Sequence, residues 1–212
     1  MGKLYNFDNL NLEFKNNEIT SILGDNNNQI VKNLKDKYKI ITVDNLFNNK
    51  DKLVEVMIPA FKKNEYIIKS LGLKNLFSKK YGELGIEEKS LVMIISSLLV
   101  AKDIIIFNDV LSYLDNKTKQ KIINYIKRHK LTLINFTSDI EETLLSDNVI
   151  IIKENKIILS GRTLDVLKNE KQLKLLGISL PFVVDLSIQL GLYELIKKIY
   201  VSNKKLIGDL WK

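Results

Sequence analysis

Two periodicities alternate along the chain, and their order predicts an architecture. Residues 10–14, LNLEF, set apolar and polar positions by turns, and residues 18–24, EITSILG, form an apolar run that ends on a glycine. Both predict strands, because a half-buried strand needs period-2 alternation and a fully buried one a short unbroken apolar run. Ile30, Val31 and Leu34 fall on one side of a helix, and the β-branched segment 38–44, YKIITVD, predicts another strand. Strand, helix and strand in this order predict a βαβ unit.

From residue 50 to residue 99 the spacing turns helical, with Leu53, Val56, Met57 and Phe61, then Ile67, Ile68 and Leu71, then the apolar stretch 91–99. This predicts a helical insertion. Residues 102–109, KDIIIFND, form a continuous apolar strand of the kind buried on both faces of a parallel sheet. An amphipathic helix over 116–128, a buried strand from Leu131, a short helix over 140–145 and a hairpin over 148–161 turning at Glu154 and Asn155 follow. Beyond Gly161 come helical patterns over 164–177, from Pro181 and over 193–200, punctuated by Gly177, Pro181 and Gly191. They predict a small C-terminal helical appendage.

A chain of 212 residues with 45% apolar content can bury one large core, with or without an appendage. The absence of cysteine excludes disulfides, thiol catalysis and Cys-ligated zinc, and His129 alone cannot build a His-rich metal site. Residues 1–10 are too polar for a secretory signal, so an intracellular protein is expected. Apolar runs such as 149–152 are strand-sized, far short of the roughly 20 residues of a membrane span. The net charge of +8 raises nucleic acid or an anionic membrane surface as partners. Its cations, however, are scattered and nearly all Lys, with only Arg128 and Arg162 offering the planar fork that reads phosphate best. Trp211 and the leucines of the tail are expected to pack rather than to bind.

The candidate chemistry begins at SILGDNNNQIVKNL, residues 21–34. A strand ending in Gly24 and leading into a helix is where a phosphate-binding loop sits. Such a loop reads G-x-x-x-x-G-K-[ST]: small residues let backbone N–H groups wrap phosphate, the Lys reaches the outer phosphates and the hydroxyl ligates Mg²⁺. Here Gly24 fits, Asp25, Asn26, Asn27 and Asn28 follow, Gln29 stands at the second glycine, Ile30 at the Lys and Val31 at the hydroxyl. Asn enters left-handed conformations readily, so the loop shape can persist while the cation and the metal ligand are gone. Lys32, two residues past Ile30, lies roughly 200° around the helix and does not replace it.

The order of elements, the segment IIIFNDVLSYLD and the segment NFTSDIEETLLSDNVIIIKENKIILSG resemble the ATP-binding cassette of ABC transporters. The tail KLLGISLPFVVDLSIQLGLYE is similar to the C-terminal extension of the ATPases of energy-coupling factor transporters. The resemblance implies an α/β, P-loop NTPase-like cassette in residues 1–165, with a helical subdomain at about 50–99 and a helical extension over 166–212. It puts Asn108 at the Mg²⁺-associated Asp and Asp109, one methylene short, at the Glu that polarises the attacking water. It also puts Ser138 at the switch His, Asp44 near the Gln of the Q-loop, and Leu114 and Asp115 at the Leu-Asp of the D-loop. Leu84, Gly85, Ile86, Glu87 and Glu88 align with the signature, where two carboxylates would repel a triphosphate.

The resemblance further implies ATP and Mg²⁺ as the cofactors to be tested, and two partners: another ABC ATPase in a hetero- or homodimer, and a transmembrane transporter subunit. No specific nucleic acid is expected. The implied location is cytoplasmic, peripheral on the inner face of the cell membrane. The expected function is a weakly active or inactive ATPase subunit that scaffolds its partners. The alternatives are an active ATP-hydrolysing subunit with atypical motifs and a Lys-rich binder of nucleic acid or membrane surface.

Overall fold

The computed structural model describes residues 3–7, 10–24, 30–32, 40–42, 45, 48, 50–58, 64–101 and 103–211. Strands β1 (Lys3–Phe7) and β2 (Leu10–Phe14) pair antiparallel as a small two-stranded sheet. The main sheet contains β3 (Ile19–Gly24), β4 (Ile40–Thr42), β5 (Ile104–Asn108), β6 (Thr132–Phe136), β7 (Asn148–Lys153) and β8 (Lys156–Arg162), in the order β4-β5-β6-β3-β7-β8. All its pairings are parallel except the β7–β8 hairpin. Glu154 and Asn155 both take positive φ at the tip, the twist that a two-residue hairpin turn demands.

The helices are α1 (Val54–Met57), α2 (Glu65–Ser70), α3 (Ile86–Leu98), α4 (Asn116–Arg128), α5 (Thr163–Leu167), α6 (Glu170–Leu175), α7 (Phe182–Leu192) and α8 (Asn203–Leu210). Residues 30–32 are helical as well.

Period 2 along the strands divides the core. Ile22, Ile106, Ile134, Phe136, Ile150 and Ile152 face one way and are covered by Leu12 and Phe14 of β2 and by Ile30 and Val31. Ile19, Ile105, Phe107 and Leu133 face the other way, under α1, α2, α3 and α4. Next to them, Leu23, Val149 and Ile151 face residues of α5 to α8, among them Val166, Leu173, Val184 and Leu206. One face therefore carries the first hairpin, and the other is shared between the helices of 54–128 and the C-terminal helices. Each large apolar side chain so buried contributes about 1.5–3 kcal/mol.

Three features depart from the pattern in the sequence. β1 precedes the expected strands and was not anticipated. β3 and β4 are parallel, but β5 and β6 lie between them, so the βαβ unit does not join neighbouring strands. The helix expected over 193–200 is absent: Glu194 has a φ of 60°, and the Tyr200 amide donates to Ser187 Oγ at 3.1 Å instead of to a helical carbonyl. Ile196 and Tyr200 are buried all the same, so their spacing records contact with α7 rather than helical periodicity. The helix forms later, as α8. The helical continuation over 33–37, the ends of the 38–44 strand and Phe61 lie outside the described residues.

Candidate functional site

The carboxyl ends of the parallel strands β3, β5, β6 and β7 meet along one rim of the sheet, where open α/β sheets hold ligands. Gly24 ends β3, opposite Ile152, and Asn108 ends β5, opposite Phe136. Thr137 and Ser138 follow β6, and the Thr137 amide donates to Ile22 O at 3.0 Å, extending the sheet by one rung.

Asp109 turns sharply at this rim. Its φ is 55°, a left-handed conformation that Asp tolerates better than most residues, and its amide donates to Phe136 O at 2.9 Å. Its Oδ1 accepts from the Ser138 amide at 3.0 Å and from Ser138 Oγ at 3.2 Å. The two positions that the resemblance marks for the catalytic carboxylate and the switch residue are thus in direct contact. Asn108 beside them is buried. Gly24 and Ser138 also share a cavity of about 250 Å³, whose other walls include Thr137, Lys153, Leu176 and Ile178.

Ile30 and Val31 belong to the apolar cluster under β2, 3% and 2% exposed, whereas Lys32 is exposed. The place expected for an ammonium and a metal-binding hydroxyl is filled by two core side chains. Asp25, Asn26, Asn27, Asn28 and Gln29, and likewise Asp44, lie outside the described residues.

The signature-like segment has a local use. Leu84 is buried, Gly85 precedes α3, and Glu88 Oε2 accepts from the Gly85 amide at 3.0 Å while Lys79 Nζ lies 3.7 Å from its Oε1. Glu87 and Glu88 thus occupy the first turn of α3, where the N–H dipole favours carboxylates. Ile86, the first residue of α3, is partly exposed. Ser90 Oγ of the same helix donates to Val110 O at 2.6 Å, which ties α3 to the residue after Asp109.

Leu114 is buried, and Asp115 caps α4: its Oδ1 accepts from the Lys117 and Thr118 amides at 2.8 and 3.0 Å, and its Oδ2 from the Thr118 hydroxyl at 2.6 Å. The hydrogen bonds from Thr118, first its hydroxyl and then its amide, hold the Asp115 carboxyl below its ordinary 3.8. Its stabilising effect is therefore complete above that value and fades as pH falls through the lowered folded one. Asp115→Asn, which keeps the cap and loses the charge, should flatten the loss of stability on acidification below 3.8 in urea titrations. An acid limb as steep as that of the parent would remove the carboxylate from this account.

Reading the sequence did not single out Thr137, Lys153, Leu176 or Ile178 as rim residues. Thr137 meets Gly24 because β3 pairs with β6, and Lys153 because β3 pairs with β7, relations between strands more than a hundred residues apart that no local pattern carries.

No protein-family model matches the chain. Curated relatives are energy-coupling factor transporter ATP-binding proteins: one from Mycoplasma mobile is 33% identical over 68% of this chain and 53% of its own length. Another, from Mycoplasmopsis pulmonis, is 27% identical over 85% of this chain and 68% of its own. A nucleotide-free ATP-binding cassette from an ABC transporter superposes with a TM-score of 0.60 at 16% identity, covering 81% of this chain and 92% of that one. An ABC transporter component from Clostridium perfringens superposes with a TM-score of 0.59 at 20% identity, covering 81% and 90%.

The fold is that of an ATP-binding cassette, and the sequence is similar to ATP-binding proteins of energy-coupling factor transporters. The chain spans about half the length of the Mycoplasma mobile relative. The resemblance implies Mg-ATP, and the described residues at the positions it marks do not carry the donors expected there. Ile30 and Val31 are apolar and buried, Asn108 is neutral, and no group of three or more His, Asp or Glu side chains able to hold a metal ion occurs among the described residues. Among them, too, no helix is long and apolar enough to cross a membrane.

Proposed function

We propose that the chain is a cassette subunit of an energy-coupling factor type importer whose nucleotide site is degenerate, and that it acts as a weakly active or inactive ATPase that scaffolds its partners. The observation that carries this reading is the burial of Ile30 and Val31 under β2. A phosphate cradle without its ammonium loses the charge-assisted hydrogen bonds that are roughly twice as strong as neutral ones. Kinship to the energy-coupling factor ATPases supports the importer context.

In this reading residues 1–165 form the cassette, with the helical subdomain at about 50–99 facing a transmembrane subunit, and residues 166–212 form the extension. A second cassette pairs with it, and the assembly lies on the inner face of the cell membrane. The test has two parts. Affinity purification from the native cell should bring down a cassette with intact P-loop residues together with an integral membrane subunit. The purified full chain should hydrolyse ATP no faster than its Asp109→Ala variant. A parent rate that this substitution abolishes would overturn the reading.

A second reading, an active ATPase with atypical motifs, is favoured by one contact: the Asp109 carboxylate is kept at the rim by Ser138. It requires the opposite kinetic outcome.

A further inference from the structure

Away from the rim, α2 of the helical insertion and α4 enclose a groove of about 500 Å³, within the few hundred to a thousand Å³ typical of small-molecule sites. Its chemistry is one-sided. Lys121, Arg128 and His129 line it together with Tyr66, Tyr125 and two asparagines, and among the described residues no carboxylate does.

Neither Lys121 nor Arg128 makes an ion pair among the described residues. The Arg128 guanidinium lies 6.0 Å from the centre of the Tyr66 ring, and Lys121 Nζ donates to Ser70 O at the end of α2. On the α4 side the rings of Tyr125 and His129 stack at 3.9 Å and 25°, and His129 Nδ1 is 2.9 Å from Tyr125 O. Burial pushes the Tyr125 phenol up from its ordinary value, so it stays a neutral donor, 3.4 Å from Asn64 Oδ1.

We propose that the groove between α2 and α4 is a binding site for a planar aromatic anion of mononucleotide size. Tyr66 and the Tyr125–His129 stack offer ring faces to a flat group, and a guanidinium held in front of an aromatic face can pair with a phosphate or carboxylate while remaining stacked. Lys121 adds a second positive charge. The exposed Asn124 side chain supplies both a donor and an acceptor, suited to the edge of a heterocycle. A ligand seated there touches the helical insertion and α4 at once and fixes one against the other. The site rests on none of the residues assigned to the rim.

Adenosine 5′-monophosphate is the probe, titrated into ¹⁵N-labelled full-length protein, with adenosine and inorganic phosphate as separate arms. The expected result is a saturable set of amide shifts confined to residues 64–70 and 121–129, with each half-probe binding about tenfold more weakly or worse. Arg128→Ala and Tyr66→Ala, both at exposed positions where folding is not at stake, should each weaken the monophosphate about tenfold. Three outcomes overturn the proposal: phosphate binding as tightly as the monophosphate, shifts gathered at Gly24 and Ser138 instead, or no saturable shift.

Discussion

Placing a lysine where the resemblance puts the P-loop cation, by Ile30→Lys, should destabilise the protein and add no affinity for nucleotide. Ile30 is 3% exposed in an apolar cluster with Leu12, Phe14, Ile22, Ile106 and Phe136. An unpaired buried charge costs about 3–5 kcal/mol, a large part of the 5–15 kcal/mol that holds a typical domain together. Urea unfolding should show a lower midpoint with an unchanged slope, since the surface exposed on unfolding stays the same. Calorimetry with Mg-ATP should match the parent. A variant of parental stability that gains Mg-ATP affinity would mean that the site needs one substitution to work, and the degenerate reading would fall.

A comparable loss is expected at the other end of the rim's support. Lys119 of α4 and Glu142 are both buried, with Nζ 2.9 Å from Oε1, and Glu142 Oε2 accepts from Asn135 Nδ2 of β6 at 3.0 Å. This pair pins the turn of helix Ile140–Leu145, which follows Ser138, to α4, which follows Asp115. Glu142→Ala strands the ammonium and should cost about 3–5 kcal/mol. Replacing both partners, by Lys119→Met with Glu142→Leu, should recover the part due to the stranded ammonium and leave a smaller loss of about 1–3 kcal/mol from the unpaired Asn135 amide. Urea titration of the two variants decides the matter: equal losses in the single and the double variant would show that the stranded ammonium is not what makes Glu142→Ala costly.

The parts of this fold that were legible in the sequence are those whose signal is local. The apolar run before Asn108 is β5, the helix predicted over 116–128 is α4, and Glu154 and Asn155 make the hairpin turn. Where the reading failed, the deciding interaction was distant. Tyr193, Ile196 and Tyr200 have helical spacing, yet Ser187 takes the Tyr200 amide. β1, KLYNF, has no clean alternation of apolar and polar positions to announce it and pairs with β2.

The rim shows the same division. Asp109 and Ser138 were singled out separately, and only the pairing of β5 with β6 brings them into contact. Glu87 and Glu88 looked like a repulsive signature, but the Glu88 carboxylate has a nearer task in receiving the Gly85 amide. Side-chain type is written in the sequence; the competing partner that claims it is not.

The position of β3 in the sheet also governs how the protein comes into being. Its neighbours are β6 and β7, and the bonds that anchor its start, from Asn17 to Thr132 and from Ile19 to Asp147, span 115 and 128 residues. A chain emerging from the ribosome therefore presents this apolar strand more than a hundred residues before β6 and β7, the strands it pairs with. Closing loops of that size before any reward arrives is what slows the folding of parallel sheets. During that interval Ile19, Ile22 and Leu23 are open to other chains, and β3 is the strand that needs guarding during synthesis.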